Sequence, residues 1–286
     1  AYNTHGTQDG QGLDCDHASS YSLMQYNYSH DNEGGFMLIM GGYPHTAPTV
    51  RYNISQNDCD RTFEFAQGIP KGTMIYNNTI YSDQIVSRGV LFLSNTAAGL
   101  GVNDFYMFNN LFCYPDGQTF YGGGNASNIT DLTNKGKLYN NAYVGGISAP
   151  VADTGAVVVA DIDTVLVNAG SGPDSNPSTT PITGASGELD GYQLVAGSPM
   201  IDAGATMAES VTHFGGAMNE IVEGTAQSPN ELYYQAQSAD SIDYIMGEYF
   251  PEIAGVDYEV HFFGKRPYAG NGPDIGAAEY LNNSQS

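Results

Sequence analysis

The sequence predicts an all-β solenoid, and three observations carry that prediction. An aromatic residue followed by Asn recurs as Tyr26-Asn27, Tyr52-Asn53, Tyr76-Asn77, Phe108-Asn109 and Tyr139-Asn140, at intervals of 26, 24, 32 and 31 residues. A second series of short β-type segments runs between these points: Gly12 to Asp16, Gly35 to Ile39, Thr62 to Ala66 and Gly89 to Leu93. Turn-forming Gly, Asn, Asp and Pro separate the segments. Self-similarity at such a period marks a stack of coils, because one coil cannot bury its apolar face alone.

Residues 1–150 are therefore read as the stacked coils. Matching positions in successive coils lie ~4.8 Å apart. An Asn repeated at one bend can pass hydrogen bonds from coil to coil, and Asn tolerates the left-handed backbone that a sharp bend needs. Residues 151–190 are poor in aromatics and rich in Ser, Thr, Pro and Gly, and read as an irregular loop region. Residues 191–286 are expected to hold the final coils and a C-terminal cap. Within them, Ser228 to Tyr249 reads as a short helix, opened by Ser228-Pro229-Asn230-Glu231.

The Asn-marked repeats resemble the right-handed parallel β-helix family of polysaccharide lyases, glycoside hydrolases and phage tailspikes. The stretches Ser198-Pro199-Met200-Ile201-Asp202-Ala203-Gly204 and Gly272-Pro273-Asp274-Ile275-Gly276-Ala277 resemble the closing segments of secreted bacterial members. The resemblance implies a right-handed parallel β-helix with a capped C-terminal end, a carbohydrate ligand, and an extracellular or cell-surface setting. The first coil begins almost at once, at Gly12, and an open coil end exposes unpaired strand edges. A second chain or a further N-terminal region is expected to cover it.

With 8 Lys+Arg against 31 Asp+Glu, the formal charge is −23. Such a chain repels nucleic acid and anionic membrane surfaces, so an oligo- or polysaccharide is the expected partner, and neutral glycans are the easier ones. No stretch approaches the ~20 apolar residues of a membrane span. Three Cys, at 15, 59 and 113, allow at most one bridge and read as free thiols.

The densest polar cluster runs from Gln8 to His17. Side chains alternate along a strand, so Leu13 and Cys15 point inward while Asp14 and Asp16 share the outer face. Their Cα atoms should lie ~6.5–7 Å apart, two strand rises. Glycoside hydrolysis needs such a pair: one carboxylic acid protonates the leaving oxygen, the other attacks the anomeric carbon or activates water. Position-matching places Met37 over Asp14 and Glu64 one coil further, extending the same face. The resemblance to lacto-N-biosidase-like β-helix glycosidases implies a pair of Asp near a strand start, which Asp9 with Asp16, or Asp14 with Asp16, would fill. Asp9, Asp14, Asp16 and Glu64 are thus the catalytic candidates, with His17, His30, Glu33 and Arg61 as substrate-binding candidates. Hydrolysis needs no cofactor. One alternative is a calcium-dependent lyase using Arg61, Lys71 or Arg88 as base and Ca²⁺ held among Asp14, Asp16, Asp58 and Asp60. The other is a non-catalytic structural or adhesive rod.

Overall fold

The computed structural model describes residues 10–16, 22–41, 48–95, 101–172, 189–215 and 273–277. They form a three-sided parallel β-helix. The first coil holds β1 (Gln11–Cys15), β2 (Leu23–Gln25) and β3 (Tyr28–His30), and the second holds β4 (Gly35–Met40), β5 (Thr49–Arg51) and β6 (Ile54–Gln56). The third holds β7 (Phe63–Ala66), β8 (Thr73–Tyr76) and β9 (Thr79–Tyr81), and the fourth β10 (Leu91–Leu93), β11 (Phe105–Phe108) and β12 (Leu111–Tyr114). The fifth holds β13 (Tyr121–Gly123), a helical insert α1 (Ala126–Lys135), β14 (Gly136–Tyr139) and β15 (Ala142–Gly145), and β16 (Val157–Val159) follows. The first sheet runs β1-β4-β7-β10-β13, the second β2-β5-β8-β11-β14, and the third β3-β6-β9-β12-β15-β16. Among the described residues every pair of named strands is parallel, as stacked coils require, and one isolated bridge, Leu166 to Leu194, is antiparallel.

The interior is apolar. Met37, Ile39, Phe63, Phe65, Leu91 and Leu93 of the first sheet meet Val50, Ile75, Phe105 and Met107 of the second and Phe112 and Tyr143 of the third. Cys15 and Cys113 are buried and Cys59 is exposed, and none of the three is in a disulfide.

The predicted Asn ladder is present at the bend between the second and third sheets. Asn27 Nδ2 donates to Asn53 Oδ1 (3.0 Å), Asn53 to Asn78 (2.9 Å), Asn78 to Asn110 (2.9 Å) and Asn110 to Asn141 (2.9 Å). The ladder ends on a carboxylate, Asn141 Nδ2 donating to Asp153 Oδ2 (2.8 Å). From the second rung on, each amide also donates to a main-chain carbonyl one coil back: Met24, Val50, Ile75 and Met107.

In coils three to five the rung is the second Asn of each pair, not the one directly after the aromatic. The first Asn occupies the left-handed position: φ is 51° at Asn77, 55° at Asn109 and 56° at Asn140. In coils one and two that position is filled by Tyr26 (φ 57°) and Tyr52 (φ 51°). The outward Asn side chains grip the chain's later segments. Asn109 exchanges two hydrogen bonds with Ala205, Asn140 donates to Ala203 O (2.7 Å), and Asn77 donates to the carbonyls of Asp274 and Gly276. The two closing motifs also pair with one another, through Gly204 N–H to Pro273 O and Ile275 N–H to Met200 O.

This segment leads into a short helix, α2 (Met207–Phe214), opened by a reciprocal Thr206/Glu209 capping box. Phe214 packs edge-on against Tyr106 and His213 stacks on Tyr139 at 3.9 Å, so α2 caps the second sheet from outside. The helix expected over 228–249 lies outside the described residues.

Candidate functional site

The first sheet carries the acids. Asp14 and Asp16 are exposed on either side of buried Cys15, as period-2 alternation requires. Asp14 pairs in register with Leu38, Leu38 with Glu64, Glu64 with Phe92, and Phe92 with Gly122. This corrects the expected match of Met37 with Asp14: Met37 pairs with Leu13 and is fully buried in the core, as is Ile39. The one-residue shift lies in the expected alignment of Gly12 with Gly35, since the observed register is continuous from Gln11 beside Gly35 to Cys15 beside Ile39. Gly34 N–H bonds Gly10 O (3.0 Å), and only glycine fits at 35, where φ is 120° and a Cβ would lie 2.0 Å from the Arg61 carbonyl oxygen. In a strand such a shift exchanges the two faces. Glu64 does stand two coils from Asp14, about 9–10 Å by the sheet spacing.

Glu64 is bound tightly where it stands. It is buried, its Oε2 accepts from Gln11 Nε2 (2.6 Å), and it pairs with Arg61 Nη2 (2.5 Å). Arg61 is itself buried, and its Nη1 pairs with Asp60. Asp60 is shared: Arg88 Nε lies 3.2 Å from its Oδ2, and Ser87 Oγ donates to its Oδ1 at 2.6 Å. Both guanidinium groups sit against the Phe92 ring, Arg61 at 5.8 Å and Arg88 at 5.2 Å from its centroid. Two acids and two cations therefore form one closed network on the outer face. A carboxylate held this way is an anchor suited to positioning, whereas Asp14 and Asp16 stand exposed.

The other candidates are placed elsewhere. His30 ends β3 on the third sheet, fully buried, stacked on Tyr28 at 4.9 Å, with Nδ1 2.8 Å from Asp31 Oδ2. Glu33 is exposed in the turn between β3 and β4. Asp9 and His17 flank β1 and lie outside the described residues. Asp58 faces an internal corner, where Asn32 and Ser55 donate to its two oxygens and burial pushes its carboxyl up to about 6. Asp58 thus stands apart from the exposed pair. Among the described residues no group of three or more His, Cys, Asp or Glu could hold a metal ion.

Asp60, Gln11, Arg88 and Phe92 complete the network around the named candidates. In the sequence Asp60 and Arg88 read as a calcium ligand and a base of the lyase alternative, not as partners of Glu64 and Arg61. Gln11 and Phe92 had no signal of their own, since three coils must be placed in register before they meet Glu64.

No family model matches the chain. Over 209 residues, 72% of its length, it is 34% identical to a lacto-N-biosidase from Bifidobacterium longum subsp. longum. The aligned stretch is 12% of that protein, so the chain spans a small part of the relative. The three-sheet, all-parallel solenoid is consistent with the β-helix carbohydrate-active family that its repeats resemble.

Proposed function

We propose that this chain is the β-helix part of an extracellular glycosidase that hydrolyses a glycosidic bond with a pair of carboxylates on the outer face of the first sheet. The observation that carries the reading is the exposed Asp14 and Asp16 on the same face as a network in which Asp60 and Glu64 pair with Arg61 and Arg88. The similarity to a lacto-N-biosidase supports a glycan of that protein's kind as substrate.

Asp16 belongs to both candidate pairs, with Asp14 two residues before it and Asp9 seven. One carboxylic acid protonates the leaving oxygen. The other attacks the anomeric carbon, or takes a proton from the attacking water. Glu64 and Arg61 hold the floor of the site rigid and need not touch the scissile bond. The lyase alternative needs a neutral Arg or Lys side chain as base; Arg61 is buried between two carboxylates, which leaves Lys71 and Arg88 as its candidates. Calcium is not required by the reaction proposed. The same reading gives the outer edges of β1, β2 and β3, the terminal strands of their sheets, to a further coil or a second chain.

The test is hydrolysis of p-nitrophenyl β-lacto-N-bioside by the chain and by Asp9→Asn, Asp14→Asn and Asp16→Asn, with and without Ca²⁺. Asp16→Asn and one of the other two should each lose roughly a hundredfold or more of kcat. Full activity in Asp16→Asn would refute the assignment. An unsaturated product from a uronic-acid polymer, formed only with Ca²⁺, would replace hydrolysis by elimination.

A further inference from the structure

Arg88 differs from the other cation of the site. Arg61 spends its head group on Asp60 and Glu64 and is 2% exposed, whereas Arg88 is 29% exposed in its side chain. Three contacts fix Arg88. Its main-chain N–H donates to Asp60 O (2.7 Å), its Nε meets Asp60 Oδ2 (3.2 Å), and its guanidinium faces the Phe92 ring at 5.2 Å. Asp60 is in turn held by Arg61 and by Ser87 Oγ (2.6 Å). Gly122 closes the arrangement from the next coil, its absent Cβ falling 1.8 Å from the Arg88 carbonyl oxygen.

Among the described residues, no protein acceptor meets Arg88 Nη1 or Nη2. Four N–H donors in one plane are thus left at the surface of a rigid, partly buried mount. This is the arrangement that binds a pair of oxygens with little loss of side-chain freedom. Phe92 lies three rungs from Asp14 along the register row, about 14 Å by sheet spacing, which a short oligosaccharide can span.

The charges decide which oxygens. Asp60 and Glu64 cancel Arg61 and Arg88, so the cluster is neutral, and the whole chain carries −23. An acidic sugar gains no net local attraction and meets general repulsion. We infer that Arg88 is a specificity-determining residue that takes a vicinal pair of hydroxyls on a neutral sugar unit away from the scissile bond, with Asp60 and Phe92 as its positioning residues. This inference rests on the glycosidase reading above.

The experiment compares the full chain with Arg88→Ala and Arg88→Lys. It measures turnover of p-nitrophenyl β-lacto-N-bioside and of lacto-N-tetraose, calorimetric binding of lacto-N-tetraose with each protein also carrying Asp16→Asn, and far-UV circular dichroism as a check on folding. Losing a charge-assisted oxygen pair should raise KM and Kd for lacto-N-tetraose roughly ten- to a hundredfold, with kcat changed by less than about threefold. Arg88→Lys should behave like Arg88→Ala, because an ammonium offers no planar pair. Guanidinium ion at millimolar concentration should restore part of the Arg88→Ala loss, which a merely structural role would not show. Wild-type KM and Kd in a folded Arg88→Ala protein would overturn the assignment while leaving the glycosidase reading intact. Preference of the wild type for a uronic-acid oligosaccharide would overturn the neutral-diol assignment. A wild-type chain that neither binds nor cleaves either substrate would remove the glycosidase reading, and this inference with it.

Discussion

Replacing Asp153 by Asn should stabilise the protein at neutral pH and flatten its pH dependence. Asp153 ends the Asn ladder, 7% exposed, with Oδ2 accepting from Asn141 Nδ2 (2.8 Å) and Tyr143 OH (2.6 Å). Its Oδ1 is buried without a hydrogen-bond partner. Burial pushes its carboxyl from 3.8 up to about 6, against the pull of those donors. The folded protein therefore keeps this proton to about pH 6, while the unfolded chain releases it near 3.8. Between those values the folded state binds more protons, so stability falls as pH rises through the window and stays low above it. A difference of about two pKa units corresponds to about 3 kcal/mol. An Asn side chain keeps one oxygen for both donors and cannot ionise. Wild type and Asp153→Asn should unfold alike near pH 4, and the variant should be about 2–3 kcal/mol more stable at pH 7, a Tm gain of roughly 5–10 °C. Urea denaturation at pH 4, 5, 6 and 7 measures this. Asp58 titrates in the same direction but is common to both proteins, so it cancels in the comparison. A gap that does not widen with pH, or a variant less stable at pH 7, would refute the reasoning.

Three more outcomes follow from the same geometry. Asn110→Ala strands buried groups on both neighbouring rungs and on Ile75, and should cost roughly 3–5 kcal/mol by urea midpoint; Asn27→Ala, at the half-buried first rung, should cost about 1 kcal/mol. Glu64→Gln leaves buried Arg61 short of one counter-charge and should lower stability by about 3 kcal/mol in thermal melts; an unchanged Tm would show that Asp60 alone satisfies it. Gly122→Ala forces a methyl against the Arg88 carbonyl, so it should destabilise by about 1–3 kcal/mol and raise KM alongside Arg88→Ala. Normal KM in a folded Gly122→Ala protein would show that the Arg88 mount tolerates displacement.

The stack of coils was legible because its marker is both repeated and chemically demanding. Aromatic-Asn pairs tie one side chain to the sheet and the next to a bend. What was hidden is which Asn of a pair turns inward. Asn77 and Asn78 are alike in sequence, yet one sits at φ 51° gripping residues 274 and 276 while the other is a ladder rung. Tyr26 and Tyr52 concealed the left-handed position in the first two coils, since a bulky residue is rarely found there. The exposed pair Asp14 and Asp16 was readable from alternation alone. The pairing of Glu64 with Arg61 was not, because those residues are joined by a bend whose direction only the fold sets. His30 reads from sequence as the start of a turn along the edge of the acidic face, yet it is buried at the end of a strand on the third sheet. The register of β1 on β4 follows the apolar alternation that sets Leu13 and Cys15 beside Met37 and Ile39; matching the glycines at 12 and 35 instead displaces it by one residue.

The ladder also gives the solenoid a polarity. All its inter-rung amide bonds point the same way, N–H toward the later coil and carbonyl toward the earlier one. Their dipoles add along the axis, and each polarises the next. The positive poles converge on Asp153, favouring the carboxylate that burial opposes, while Asn27 turns the negative pole toward the first coil. The column of side chains thus behaves as a single oriented electrostatic unit, in which the first rung and the terminal carboxylate are linked though they share no contact.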